Sequence, residues 1–249
     1  MTDLDPDGLF DSRVAPLYDA TLGTHGTPEV VESIVEFLAL EASEGRVLEF
    51  AIGTGRVALP LAERGIEVHG IELSRAMVRE LRRKPGGDDV PIVIGDMATA
   101  RVEGQFSLVY LVFNTIGNLL TQSEQVECFR NASRHLAIGG RFVIETFLPE
   151  LHRLPRGERF VPFEVADGHF GIDEYDVVHQ RLTSRHIWVY GDRATTFDTP
   201  MRYAFPAEYD LMAQLAGMRL VARWGDWHRN PFTSESSSHV SVWERTDAL

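Results

Sequence analysis

The sequence predicts a doubly wound α/β fold, with a seven-stranded sheet and a mainly antiparallel β insertion after strand five. Three observations carry this. Short apolar runs alternate with amphipathic helical stretches through the first 147 residues, the pattern of strand–helix–strand units. The apolar run 47–52 ends in Gly53-Thr54-Gly55 and opens a helical stretch, a glycine turn after a strand. Beyond 148 the alternation gives way to β-prone segments separated by Asp-Gly and Gly-Asp turns.

Residues 1–12 are acidic and predict no regular element. Thr27-Pro28 reads as an N-cap followed by proline at the first helical position. Val31, Ile34, Val35 and Leu38 then repeat at helical spacing, so 28–40 is an amphipathic helix. Strand one is 46–51, and a helix irregular at Pro60 follows over 56–64. Strand two is 66–71, and Ser74 caps a helix over 75–84. Pro85-Gly86-Gly87 is a loop before a short strand at 92–94. The run 106–113 is nearly all apolar, as a strand buried on both faces must be. Thr121-Gln122-Ser123-Glu124 fits a capping box opening the helix 122–137. Gly139-Gly140 turns the chain into strand five, 141–147. In the insertion, 160–165, 175–181, 185–190 and 196–204 are β-prone. Pro206 opens a helix to 216 with Gly217 past its end, and 218–224 and 239–244 return to the main sheet. The domain reading is an N-terminal segment 1–27 able to act as a lid, a core of 28–149 and 206–249, and a β-rich substrate cap at 150–205.

Bulk properties narrow the function. The net charge of −13 argues against nucleic acid and against anionic membranes as partners, because both need a basic surface. The one cysteine, Cys128, forbids an internal disulfide and a cysteine-based zinc site. No apolar run approaches a membrane span, and the N-terminus lacks a signal-peptide core, so a cytoplasmic location is expected.

Ligands of such sheets bind beyond the carboxyl ends of the strands, where Gly53, Glu72, Asp96 and Asn114 all lie. An acid ending strand two, Glu72, can accept both hydroxyls of a ribose. Gly53, Gly55 and Ala58 would satisfy a dinucleotide fingerprint, but Glu49, four residues before Gly53, has no place in that pattern. It suits a ligand with a cationic end, such as the amino group and sulfonium of S-adenosylmethionine.

The run Glu49-Phe50-Ala51-Ile52-Gly53-Thr54-Gly55-Arg56 resembles the first motif of class I S-adenosylmethionine-dependent methyltransferases. Gly70-Ile71-Glu72-Leu73-Ser74 with Met77 resembles the second, Gly95-Asp96-Met97 the third, and Leu111 to Ile116 the fourth. His135 to Gly140 resembles the family's helix-to-strand turn. The resemblance implies a Rossmann-like sheet and S-adenosyl-L-methionine as cofactor, with S-adenosyl-L-homocysteine as product. It assigns the amino group to Glu49, the ribose to Glu72, the adenine amino group to Asp96 and the adenine ring to Met97. Ala51, Gly53, Thr54, Gly55, Leu73, Met77 and Phe113 would complete the cofactor site.

Tyr18, the run Phe113 to Leu119 and the β-rich segment after strand five are similar to small-molecule N-methyltransferases acting on amino sugars in antibiotic biosynthesis. That likeness implies that Tyr18 helps close the cofactor pocket and that the acceptor is an amino sugar or similar natural-product intermediate. A homodimer is compatible with it. An O-methyltransferase is the alternative, and a non-catalytic cofactor-binding scaffold the rival of another class.

Catalytic candidates are Asn114, either orienting the acceptor or a satisfied loop asparagine, and His228, either a base in the aromatic run 224–228 or a neutral surface histidine. His25, His152, His169, His179, His186 and His239 fall outside the predicted core elements or in the cap; His69 reads as structural and His135 as surface or packing. No histidine pair has a metal-ligand spacing, so no metal is expected. The cap acids Glu164, Asp173, Glu174 and Asp176 could attract an amine, or form a solvated face.

Overall fold

The computed structural model describes residues 7–21 and 26–246. A 3-10 turn at Ala15–Leu17 leads into the short helix α1 (Tyr18–Thr21). Thr27 accepts the Val30 N–H at 3.4 Å and opens α2 (Pro28–Ala42), which buries Ile34, Val35, Phe37 and Leu38. The core then alternates β1 (Val47–Phe50), α3 (Ala58–Glu63), β2 (Val68–Glu72), α4 (Arg75–Arg82), β3 (Ile92–Ile94), β4 (Phe106–Leu111), α5 (Gln122–His135) and β5 (Leu136–Phe147). The cap contributes β6 (Phe160–Ala166), β7 (His169–Asp176), β8 (Arg181–Tyr190) and β9 (Arg193–Arg202). The chain closes with α6 (Pro206–Leu215), β10 (Met218–Trp224) and β11 (Ser238–Arg245).

The seven-stranded sheet has the order β10-β11-β5-β4-β1-β2-β3. The strands from β5 to β3 are mutually parallel, and β11 and β10 add antiparallel at the far edge. The chain order reverses between β1 and β4, which opens a crevice beyond their carboxyl ends. One face carries Phe50, Val109, Leu111, Phe142, Ile144 and Trp243 against Cys128 and Phe129 of α5 and Tyr209 of α6. The other carries Val47, Leu108, Tyr110 and Val143 against α2 and α3. β4 is therefore enclosed on both sides, as its unbroken apolar run requires.

The predicted capping box is present. Thr121 Oγ1 accepts from Glu124 N at 3.2 Å, and Glu124 Oε2 accepts from Thr121 N at 2.8 Å. Three predicted boundaries move. Strand four ends at Leu111 rather than 113, because Phe113 and Asn114 take φ of 58° and 55°. Strand five begins at Leu136, and Gly139, at φ 78°, lies in an irregular stretch of strand rather than in a turn before it. The segment 175–181 is not one strand: β7 ends at Asp176 and β8 begins at Arg181.

β6 to β9 form a separate antiparallel sheet of successive hairpins. Gly168 and Gly191, both at positive φ, make its two-residue turns. Val161, Tyr175, Leu182 and Tyr203 face the main body and pack on Phe147, Leu151, Leu154 and Met201. Among the described residues, no helix is long and apolar enough to cross a membrane.

Candidate active site

The site grows from the carboxyl end of β1. Ala51, Gly53 and Gly55 take φ of 52°, 59° and 76°. For Ala51 that conformation carries strain, held by Ile52 N donating to Ile71 O at 3.1 Å. Gly55 has no alternative: a Cβ there would lie 2.9 Å from Leu81. This tight turn returns the chain to α3 directly above Glu49.

Glu49 is a strand residue with only 3% of its surface exposed. It pairs in register with Tyr110 of β4, whose O–H donates to Oε2 at 2.9 Å. Burial is the dominant influence and pushes its carboxyl up to about 8, against the Tyr110 hydrogen bond and the Arg56 guanidinium. Arg56 lies with its guanidinium carbon 3.3 Å from the centroid of the Phe113 ring.

Glu72, at the end of β2, is likewise buried. Its Oε2 accepts from Gly53 N and its Oε1 from Ser74 N, each at 2.8 Å. These bonds, with the nearby Leu73 N–H, fix the carboxylate, whose pKa burial nonetheless raises above its ordinary range. Ser74 Oγ caps α4 by accepting from Met77 N at 3.1 Å and donates to Phe10 O at 2.5 Å. The N-terminal arm therefore lies across the end of β2: Arg75 N donates to Asp7, and Ala15 packs on Ala76 and Met77. Leu73, half exposed, lies beside Gly8. Tyr18 packs edge-on against Phe10 and, like Glu49, lies within electrostatic reach of Arg56 and Glu72.

Beyond β4, Phe113 N donates to Glu145 Oε2 at 2.9 Å, and Asn114 N to Glu145 O at 3.2 Å. The Asn114 amide is engaged at both ends. Its Oδ1 accepts from Thr146 Oγ1, and its Nδ2 meets Met201 Sδ of the cap at 3.3 Å. Asp96 is exposed at the end of β3, with Oδ1 capping Ala98 N at 2.7 Å. Met97 is buried in the core beneath it.

His228 is exposed on the β10–β11 loop, as a surface histidine would be, and its neighbours dock that loop on α2. Trp227 packs on Phe37, and Arg229 bonds Glu41, near the amino end of the sheet where Glu41 also meets Arg141. His239 is not peripheral. It is fully buried in β11, paired in register with Thr146, and burial holds its imidazole down at about 3. His135 is a packing residue whose Nε2 accepts from Val102 N at 3.0 Å. His25 lies outside the described residues. Among the described residues, no group of three or more candidate metal ligands converges.

Sequence reasoning did not find Arg56, Tyr110, Glu145 or a latch on the glycine turn. In that latch, Asp19 Oδ1 accepts from Thr54 Oγ1 and Oδ2 from Lys84 Nζ, both at 2.6 Å, while Lys84 also donates to Thr54 O at 2.8 Å. Of these, only Arg56 carried a signal, its place beside Gly55.

The donor set suits a ligand with a cationic amino acid end and a ribose. Two buried carboxylates flank a strained turn, and an aromatic ring and a guanidinium lie beside them. A family profile described as "Methyltransferase domain" matches residues 47–140. The chain is 38% identical to the CcbJ methyltransferase from Streptomyces caelestis. That solved structure superposes with a TM-score of 0.84 over 94% of this chain and 96% of the other. It is 29% identical over 206 residues to a cypemycin N-terminal methyltransferase of a Streptomyces species, covering 81% and 84% of the two chains. Over 142 residues it is 33% identical to a dTDP-4-amino-2,3,4,6-tetradeoxy-D-glucose N,N-dimethyltransferase of Saccharopolyspora spinosa, 55% of each chain. From the fold, the crevice and these likenesses, the chain belongs to the S-adenosylmethionine-dependent methyltransferases.

Proposed function

We propose that this enzyme methylates a nitrogen of a small amine, the amino group of a sugar or a similar natural-product intermediate. The observation that carries the reading is Asp173. Of the four cap acids, Glu164 pairs with His169, Glu174 with Arg159, and Asp176 with His179. Asp173 instead keeps a buried carboxylate oxygen with no hydrogen-bond partner among the described residues. It alternates onto the cap face shared by Tyr175 and Leu182, the face that reaches Asn114 through Met201. Burial leads in raising its carboxyl to about 6, opposed by a hydrogen bond from Ser184. A basic nitrogen would supply the missing partner. The relatives named for an N-terminal amine and for an amino sugar support the same chemistry.

In this reading 150–205 forms the acceptor cap, 1–27 the lid, and 28–149 with 206–249 the core. Glu49 holds the cofactor's amino group and Glu72 its ribose hydroxyls. Ala51, Gly53, Thr54 and Gly55 form the backbone cradle, and Arg56 meets the carboxylate end. Asp96, Met97, Leu73 and Met77 surround the adenosine, and Tyr18 and Phe113 close the pocket. The bound cofactor supplies a methyl group already activated by its sulfonium. The protein's task is alignment. Asp173 accepts a hydrogen bond from the acceptor's amine, and Asn114 ties the cap to β5 so that the acceptor side keeps its position. A neutral amine carries its own lone pair, so no strong base is required; its proton leaves to solvent after attack.

The test is methyl transfer from S-adenosylmethionine to a panel of amino sugars and their hydroxy analogues, read by mass spectrometry, with Asp173→Asn alongside. Gain of a methyl by amines alone, with KM raised in Asp173→Asn, is expected. Methylation of the hydroxy analogues in place of the amines would establish the O-methyltransferase alternative and sink this reading.

A further inference from the structure

Tyr110 is fully buried near the carboxyl end of β4. Its neighbours on that face are apolar: Val47, Leu108, Val112 and Val143. A phenylalanine ring would fill the same space, and a hydroxyl taken out of water there is costly unless bonded. Among the described residues that hydroxyl bonds Glu49 Oε2 alone, directly across the strand pair. The phenol therefore grips Glu49 from the core side, while the Ala58 N–H at the start of α3 reaches the same carboxyl.

The groups facing Glu49 come from every surrounding element. Tyr110 donates from β4 and the Ala58 backbone N–H from α3; Arg56 approaches from the turn, Glu72 from β2 and Tyr18 from α1. Two buried acids thus share one small enclosure. Their repulsion adds to burial in holding Glu49 in its protonated form at neutral pH. A ligand's ammonium group changes the balance, because it is held far better by a carboxylate than by a carboxylic acid.

We propose that Tyr110 is a positioning residue that clamps Glu49 toward the cofactor, and that seating the cofactor's ammonium group there expels one proton from Glu49 to solvent. The exchange balances. The O–H bond of the Glu49 carboxyl breaks, its electron pair stays on the carboxylate, and the proton leaves as the ammonium arrives. This rests on the reading that Glu49 receives the cofactor's amino group. It makes cofactor affinity pH-dependent even where the acceptor takes no part, and it assigns a function to a hydroxyl that packing does not need.

The experiment is calorimetric titration of the whole protein with S-adenosylhomocysteine, in buffers of different ionisation enthalpy, from pH 6 to 9. Wild type, Tyr110→Phe and Glu49→Gln are compared. Wild type should release close to one proton per site at pH 7, and its Kd should tighten about tenfold per pH unit up to about pH 8. Tyr110→Phe should move the midpoint of that profile to higher pH, because the bond favouring the carboxylate is gone. Glu49→Gln should release no proton and bind at least about tenfold more weakly. The ligand's own titration is common to all three proteins and cancels in the comparison. Absence of proton release in wild type, or an unmoved profile in Tyr110→Phe, overturns the inference while Glu49→Gln still binds weakly. An unchanged Kd in Glu49→Gln instead removes the assignment of the amino group to Glu49.

Discussion

Under the proposed ribose role, Glu72 is a single side chain already prepared for a diol. Two backbone N–H groups hold its carboxylate at 2.8 Å, so little freedom remains to be lost on binding. Glu72→Ala removes a charge-assisted bidentate contact and should weaken S-adenosylmethionine binding at least about tenfold by calorimetry. Glu49 carries an opposite liability. Its folded-state carboxyl, at about 8, lies above its ordinary 4.5. Its contribution to stability is therefore complete below about pH 4.5 and is lost as pH rises through 8. Glu49→Gln does not undergo that loss. Without cofactor it should be more stable than wild type at pH 8 by about 4 kcal/mol in urea denaturation, with the difference vanishing near pH 4. An equal or lower stability at pH 8 would mean that the carboxylate is better solvated than its burial indicates.

Among the elements, the N-terminal arm is held by few bonds at decisive places. Asp19 is pushed up by burial, but the bonds from Lys84 and Thr54 prevail and its carboxyl stays below its ordinary value. Asp19→Ala frees α1 from the glycine turn. The dissociation rate of S-adenosylhomocysteine in stopped-flow measurements should then rise several-fold, with little change in association.

The elements also divide by how legible they were. Thr27, Ser74 and Thr121 announce their helices because capping is local chemistry, complete within three residues. Glu49 and Glu72 could be placed on β1 and at the end of β2 because each stands at a fixed offset from the glycine turn or a strand end. Val177 and Val178 misled, since β-branched residues read as strand. In fact Asp176 Oδ1 accepts from the N–H groups of Val178 and His179 and bends the chain there, leaving both valines exposed. The aromatic run around His228 suggested a pocket wall, and in it Trp227 is an anchor onto α2. The Asp19 latch joins residues 35 and 65 positions apart, and no local pattern records that.

At the scale of the whole molecule, cap and core meet at a buried arginine. Arg202, at the end of β9, donates to Gln125 of α5 and Glu208 of α6 at 2.5 Å each, and to Gln180 at 3.2 Å. Removing one partner of such a buried pair leaves the other charge uncompensated. Arg202→Ala should cost about 3–5 kcal/mol, seen as a lower urea midpoint. If the knot couples cap to core, wild type unfolds in one transition. Splitting into two in the variant would identify the cap as the part released first. Cys128 provides a way to time such events. It is the chain's only thiol, packed at zero exposure between α5 and the sheet, and burial raises its pKa well above the ordinary thiol range. In the folded protein it should be inert to an aromatic disulfide reagent. The slow reaction that does occur then works as a clock started by each opening of the core, and its rate reports the population of the open form. Cofactor should slow that clock in proportion to its affinity, giving an optical binding assay that needs neither a known acceptor nor a label.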